Sequence, residues 1–222
     1  YIMAKGSVAG EKLDQPAPPW RKRGEVTDMS DGGARPIRFA MLERLSVLTP
    51  SDAAVVATTG FCGRELWTLN DCEQNIYQVG SMGCASGMGL GVALNSDRPV
   101  IVVDGDGAAL MKLGALATIG AQAPEKLVHI IMDNGAHEST GGQATVSANV
   151  TYAEAAIACG YRNAMVCDTA NGFETAMTQA LTSPGPHLIH ARITTGSIEN
   201  LGRPTISPIE VAQRFQAFLT GE

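Results

Sequence analysis

The chain has few aromatic residues (5%), few charged ones (17%) and no run of apolar residues as long as a membrane span. Its five cysteines (Cys62, Cys72, Cys84, Cys159, Cys167) contain no CxxC pair. Each shortage excludes something. A membrane helix needs about 20 mostly apolar residues, so no membrane association is expected. Scattered cysteines in odd number argue against a disulfide framework or a zinc site, and for free thiols in a reducing cytoplasm. A net charge of −6 has the wrong sign for a general nucleic-acid surface. What the chain does have is 45% hydrophobic residues and 25 glycines in 222 residues. The glycines gather in residues 80–91, 105–120 and 135–142 without forming a repeat. This composition fits one large α/β domain or a domain with an attached segment.

Apolar patterning alternates between two periods. Strands are expected at 53–57, 76–79, 99–103, 127–132, 164–167 and 187–193. Helices are expected at 36–48, 64–69, 84–94, 108–121, 152–159, 172–181 and 207–219, the last opened by Ser207-Pro208. Residues 133–149 read as an irregular loop. Strand–helix alternation predicts an α/β fold, a doubly wound and mainly parallel sheet with helices on both faces. Ahead of it, residues 1–6 read as the end of a strand. The Pro-, Gly- and charge-rich stretch that follows reads as a linker, and its basic run Arg21-Lys22-Arg23 as a solvated face. Residues 1–35 are therefore expected to be the end of a preceding domain plus a linker, and 36–222 a C-terminal domain.

Two strand ends carry the chemistry. Gly105-Asp106-Gly107 closes one apolar run, and Asp133-Asn134-Gly135 closes the next, with Asn134 28 residues after Asp106. In an open α/β sheet, ligands bind beyond the carboxyl ends of the strands. Glycines let a backbone approach a phosphate closely, and the following helix directs free N–H groups at it. A carboxylate and a carboxamide on one rim suit Mg²⁺, which keeps few protein ligands and takes the rest from phosphate and water. Singly, Asp106 could cap a helix and Asn134 could occupy a left-handed turn. Jointly, at matched strand ends, they favour the metal. Two more turns sit at strand ends. Gly80-Ser81-Met82-Gly83 is one, where Met82 could also be core filler. Thr58-Thr59-Gly60 before Arg64 and Glu65 is the other. His137 and Ser139 lie on the loop after Asn134, and an imidazole there could move a proton near neutral pH. Glu138 could be a solvated charge, and Arg64 could pair with Glu65 or Asp71. His129, His187 and His190 fall in strand patterns and are expected to be hydrogen-bonded structural residues.

GDG, an interval just under thirty residues and an Asn-containing turn resemble the signature of thiamine-diphosphate enzymes, with Asp133 in place of a usual Asn. Further segments resemble the phosphonopyruvate and sulfopyruvate decarboxylase branch. They are Val56-Ala57-Thr58-Thr59-Gly60 with Arg64-Glu65-Leu66, Val79-Gly80-Ser81-Met82-Gly83, Gly105-Asp106-Gly107-Ala108-Ala109-Leu110-Met111, His137-Glu138-Ser139-Thr140-Gly141-Gly142-Gln143 and Leu201-Gly202-Arg203-Pro204-Thr205. The likeness covers roughly residues 36 to 219 and departs from the pattern at Phe61-Cys62-Gly63 and Gly135.

The resemblance implies that 36–222 is the diphosphate- and Mg²⁺-binding domain. Asp106, the Asn134 side chain and the Ala136 carbonyl would hold the metal. Thr59, Gly60, Gly105, Gly107, Ala108 and His137 would border the cofactor. Met82 would wedge between its two rings, with Gly80 and Ser81 in the same turn. The implied reaction is non-oxidative decarboxylation of a 2-oxo acid with an anionic tail, to which Arg64, Lys112, His137 and Ser139 could bind. The activating glutamate of the family belongs to a pyrimidine-binding domain, and none of the glutamates in this sequence sits in such a motif. A partner domain or subunit in a homo- or hetero-oligomer is therefore expected, with the small-residue helix at 85–91 as a candidate interface. A non-catalytic cofactor-binding subunit is the rival of another class. A Rossmann dehydrogenase is not supported, because Gly87-Met88-Gly89-Leu90-Gly91 lies inside a helix pattern instead of after a strand.

Overall fold

The structure, a computed structural model, describes residues 24–221 together with Ala4, Gly6, Ser7 and Ala9. The strand end expected at the start and the basic linker run lie outside the described residues.

Seven parallel strands form the main sheet: β1 (Glu25–Asp28), β2 (Ala54–Ala57), β3 (Asn75–Tyr77), β4 (Val100–Gly105), β5 (Leu127–Asp133), β8 (Asn163–Cys167) and β9 (His187–Arg192). Their order is β1-β8-β9-β5-β4-β2-β3. The four central strands are buried on both faces, as expected of near-continuous Val/Ile/Leu runs in a parallel sheet. Two shorter strands, β6 (Ala136–His137) and β7 (Gln143–Ala144), make a separate antiparallel ribbon.

Helices cover both faces of the sheet. On one side α1 (Arg38–Leu48), α2 (Phe61–Asn70) and α7 (Ala170–Thr182) bury Met41, Leu45, Leu66, Phe173 and Met177 against β2, β4, β5, β8 and β9. On the other, α5 (Ala115–Gln122) and α6 (Tyr152–Cys159) bury Ile119, Tyr152 and Ala156. The small-residue helix α3 (Ala85–Asn95) and α8 (Pro208–Thr220) share a third cluster with β2 and β4 through Ala85, Val102 and Phe215. α8 starts with a capping box between Ser207 and Glu210 and with Pro at its first turn. No helix among the described residues is long and apolar enough to cross a membrane.

The expected α/β class, parallel sheet and two-sided helix cover are all present. Three local expectations change. The segment before residue 36 supplies the edge strand β1, paired in parallel with β8. Its short EVTD sequence has one face that packs and little else to mark it as a strand. The helix expected at 108–121 is two helices, α4 (Asp106–Met111) and α5, separated at Lys112, whose backbone leaves the helical region. Residues 133–149 are ordered as the β6–β7 ribbon with two single-turn 3-10 segments.

Close backbone approach sets one glycine. A Cβ at Gly120 of α5 would lie 1.9 Å from the Cys159 carbonyl oxygen at the end of α6. Backbone cannot swing aside, so the two helices must separate. Gly120→Ala is expected to destabilise the chain by about 1–3 kcal/mol, seen as a lower urea midpoint. An unchanged midpoint would show that the α5–α6 contact yields without cost.

Candidate active site

The adjacent strands β4 and β5 run in register until Gly105 lies opposite Met132. Asp106 and Asn134 therefore leave the sheet side by side. β2 flanks β4 on its other side, with Val103 opposite Ala57, and brings Thr58-Thr59-Gly60 to the same rim. The chain leaves β2 outward to β3 and comes back to β4, so this is the switch point where α/β sheets bind ligands.

One cleft is lined by Thr59, Gly60, Met82, Gly105, Asp106, Gly107, Ala108, Asn134, Ala136, His137 and Ser139. All of these were expected near a cofactor or substrate. Gly80 and Ser81 stay on its exposed rim, in a turn with φ of +69° and +46°. Arg64 lines an adjoining cavity. Lys112 lines neither cavity and lies instead over Gly83.

Gly107 is the floor of the cleft. A Cβ there would come within 2.5 Å of the His137 ring and 3.2 Å of the Met82 methyl. Side chains from two separate turns thus converge on the glycine that follows Asp106. Asp106 itself is 2% exposed. Burial pushes its carboxyl above the ordinary range, and nearby Asp133 adds to that push, against a hydrogen bond from Thr145. Thr145 Oγ1 donates to one carboxylate oxygen, while Tyr152 donates to the Asp106 carbonyl at 3.3 Å. Backbone N–H groups of Gly107 and Asp106 also meet the carboxylate, and no basic side chain pairs with it among the described residues. A buried carboxylate in this state is what a divalent cation would relieve. A carboxylate, a carboxamide and a backbone carbonyl at one rim are hard oxygen donors of the kind Mg²⁺ takes. No group of three or more His, Cys, Asp or Glu side chains is placed to hold a metal among the described residues. The residues present fit Mg²⁺ with a diphosphate.

Asn134 is held by its neighbours. Its amide donates to Glu138 Oε2 at 2.6 Å, and its Oδ1 accepts from the Ala136 N–H at 3.0 Å. Glu138 is not a solvated charge. Its Oε2 also meets Arg38, and its Oε1 accepts from the Gly196 N–H at 2.6 Å. Arg38, 4% exposed on α1, binds Glu65 at 3.2 Å as well, and Ser197 donates to Glu65 at 2.8 Å. Burial opposes the charge on Arg38, and the anionic groups around it, Glu65 and Glu138 included, outweigh that penalty. Burial pushes the Glu65 carboxyl up and Arg38 pulls it back only partly. Cys62 lies beside this network, its thiol raised to about 12 by burial.

Sequence reasoning missed Arg38, Thr145 and the joint role of Glu138. Arg38 sits between apolar residues at the start of a helix pattern. Its burial depends on acids 27 and 100 residues away.

Arg64 pairs with neither Glu65 nor Asp71. Its guanidinium donates to the carbonyls of Gly202 and Leu201, both at 2.9 Å, and lies over the Phe61 ring. Asp71 is held by Arg214 through two bonds of 2.7 and 2.8 Å. The strand histidines behave as expected. His129 bridges Asp104 and Tyr161, His187 meets the Ser183 carbonyl, and His190 meets Asp133 at 2.8 Å. The His190 bond, against burial, holds the Asp133 carboxyl below the ordinary range.

Fold and site together define a class. The chain belongs to the thiamine pyrophosphate enzymes, as their C-terminal TPP-binding domain, whose family model matches residues 60–191. Its sequence is similar to phosphonopyruvate decarboxylases. The match is 50% identical to the protein of Streptomyces viridochromogenes over 99% of this chain and 56% of that protein. It is 50% identical to that of Streptomyces hygroscopicus over 99% and 55%. The chain thus spans about half the length of these two relatives. It is also 37% identical to the sulfopyruvate decarboxylase subunit beta of Methanothermobacter thermautotrophicus, over 73% of this chain and 84% of that one. Among solved structures, it shares its fold with the thiamine diphosphate-dependent 4-hydroxybenzoylformate decarboxylase of Rhodococcus jostii RHA1. The TM-score there is 0.64 at 24% identity, over 83% of this chain and 37% of that one. Benzoylformate decarboxylase of Polynucleobacter necessarius gives a TM-score of 0.62 at 20% identity, over 83% and 38%.

Removing one partner from a buried ion-pair network leaves uncompensated charge. Arg38→Met, which strands Glu65 and Glu138 together, is expected to cost about 3–5 kcal/mol of stability. Chemical denaturation measures it, and a loss below about 1 kcal/mol would show that the two acids simply protonate.

Proposed function

We propose that this chain is the diphosphate- and Mg²⁺-binding part of a decarboxylase acting on a 2-oxo acid with an anionic tail, phosphonopyruvate foremost, with phosphonoacetaldehyde and CO₂ as products. The observation that carries the reading is the 50% identity with phosphonopyruvate decarboxylases over 99% of this chain, coupled to a cleft in which the matched residues converge. Asp106, Asn134 and the Ala136 carbonyl would hold Mg²⁺. Thr59, Gly60, Gly107 and Ala108 would face the diphosphate with hydroxyl and amide N–H groups. Met82 would press against the cofactor's rings beside Gly80 and Ser81. When bound, the cofactor supplies the electron sink that makes loss of CO₂ feasible. His137, whose ring lies against Gly107, and Ser139, on the rim, would bind the reacting acid and hold a proton at Nε2 or Oγ.

The cleft within this chain encloses about 70 Å³, well short of the roughly 300–1,000 Å³ of a small-molecule site. The missing wall and the activating glutamate are assigned to a pyrimidine-binding domain or subunit. Exposed apolar side chains, Val79 at 66%, Met88 of α3 at 38% and Met111 at the end of α4 at 58%, offer it a surface to dock on. The free thiols suit a reducing cytoplasm. A second reading, the beta subunit of a sulfopyruvate decarboxylase, is favoured by the match to 95% of the length of that subunit from Methanocaldococcus jannaschii at 35% identity.

The test is CO₂ release from phosphonopyruvate and from sulfopyruvate, with thiamine diphosphate and Mg²⁺, by this chain combined with a pyrimidine-binding domain. Release from phosphonopyruvate is expected. Asp106→Ala should abolish it and weaken Mg²⁺-dependent cofactor binding by at least about 10- to 100-fold, the range found even for outer-shell partners. Preference for sulfopyruvate selects the second reading. Cofactor binding without release from any 2-oxo acid rejects catalysis.

A further inference from the structure

Next to the cofactor cleft lies a larger cavity of about 370 Å³, within the range of a small-ligand site. The two share Thr58, Thr59, Gly60 and Ser139, so the cavity opens onto the cleft along the end of β2. Its apolar lining includes Val79, Pro204, Ile206 and Val211. Two buried polar atoms in the lining lack any hydrogen-bond partner among the described residues, Thr58 Oγ1 and Gln78 Oε1. Thr58 is 2% and Gln78 8% exposed. Buried polar groups are rarely left in that state unless a water or ligand meets them. Two arginines, Arg64 and Arg203, line the cavity, and no acidic residue does among the described residues. In a chain with a net charge of −6, that local balance selects for an anion.

The two arginines differ in how they are used. Arg64 is committed to the carbonyls of Leu201 and Gly202. The Gly202 N–H donates to Thr68 at 3.0 Å, so α2 holds the 201–202 backbone at both its polar groups. Arg203 follows directly. It makes no ion pair or side-chain hydrogen bond with another described residue. Arg64, whose guanidinium makes it the natural choice for an oxyanion from sequence, is thus a positioning residue, and Arg203 is a cation left unpaired among the described residues. A planar guanidinium suits a carboxylate or tetrahedral oxyanion.

We propose that this cavity seats the anionic tail of the substrate, with Arg203 as its counter-ion and Ser139 and Thr58 as hydroxyl donors at the junction with the cofactor cleft. The inference rests on the decarboxylase reading for the word substrate. The anion site itself stands on the cavity alone.

Two measurements on the full-length protein separate these. The first is calorimetric titration with phosphonoacetate and with sulfoacetate, which carry the tail and cannot be decarboxylated as 2-oxo acids. Wild type should bind at least one. Arg203→Met should weaken it roughly 10- to 100-fold, the loss of a charge-assisted hydrogen-bond pair, and Arg203→Lys should restore part. No binding by wild type, or equal binding by Arg203→Met, overturns the site. The second is the ratio of kcat/KM for phosphonopyruvate to that for pyruvate, which lacks the tail. Arg203→Met should lower that ratio by a similar factor, mainly through KM. CO₂ release with an unaltered ratio sinks the tail site and leaves the decarboxylase. Arg203-dependent binding of phosphonoacetate with no release from any 2-oxo acid sinks the decarboxylase and leaves the anion site.

Discussion

The in-register pairing of β4 with β5 is the constraint on which the rest depends. Both strands are buried on two faces, so a slip by one residue would turn every side chain toward the wrong layer. With that register in place, Gly105 ends opposite Met132, and a carboxylate and a carboxamide reach one rim without further adjustment. β2 on the other flank adds its threonines. The site is a consequence of three adjacent strand ends before any loop contributes.

The loop then has to be held where the strands end, and charge does this. Glu138 ties Asn134 to Arg38, and Arg38 ties both to Glu65 and, through Ser197, to the chain after β9. Burying such a network carries a large desolvation penalty, so it is weak evidence for stability in itself. Its geometry orients the Asn134 amide, since the nitrogen is engaged by a carboxylate and the oxygen is left as acceptor. A fold that only needed stability could have filled this place with apolar side chains.

The two cavities divide the chemistry. The small cleft has glycine, amide and acid groups suited to a diphosphate and its metal. The larger one has hydroxyls, apolar walls and an uncommitted arginine suited to a small anion. Ser139 lines both, so the two spaces meet at its side chain. α8 and the segment before it line the larger cavity as well as covering the edge of the sheet.

Much of this was legible in the chain. The parallel strands were visible because fully buried strands read as continuous apolar runs, and α8 because its cap and proline are local. Asp106, Asn134 and the Gly80 turn stood out through spacing and strand context, which need no knowledge of distant contacts. β1 was hidden because four residues at a sheet edge bury too little to leave a pattern. The break between α4 and α5 was hidden because apolar periodicity continues across Lys112. Arg38, Thr145 and Arg203 were beyond reach for a common reason. Arg38 and Thr145 act through partners far away in sequence, Arg203 is set by the cavity it lines, and a side chain's charge says nothing about which groups will surround it. The sequence by itself determined the alternation of the inner strands with helices and the residue types delivered to the strand ends, because those follow from local periodicity and turn chemistry. Only the tertiary structure decided that Glu138 would be largely buried, that Arg64 would be spent on backbone carbonyls and that Arg203 would be left unpaired among the described residues, because burial and pairing are set by long-range packing.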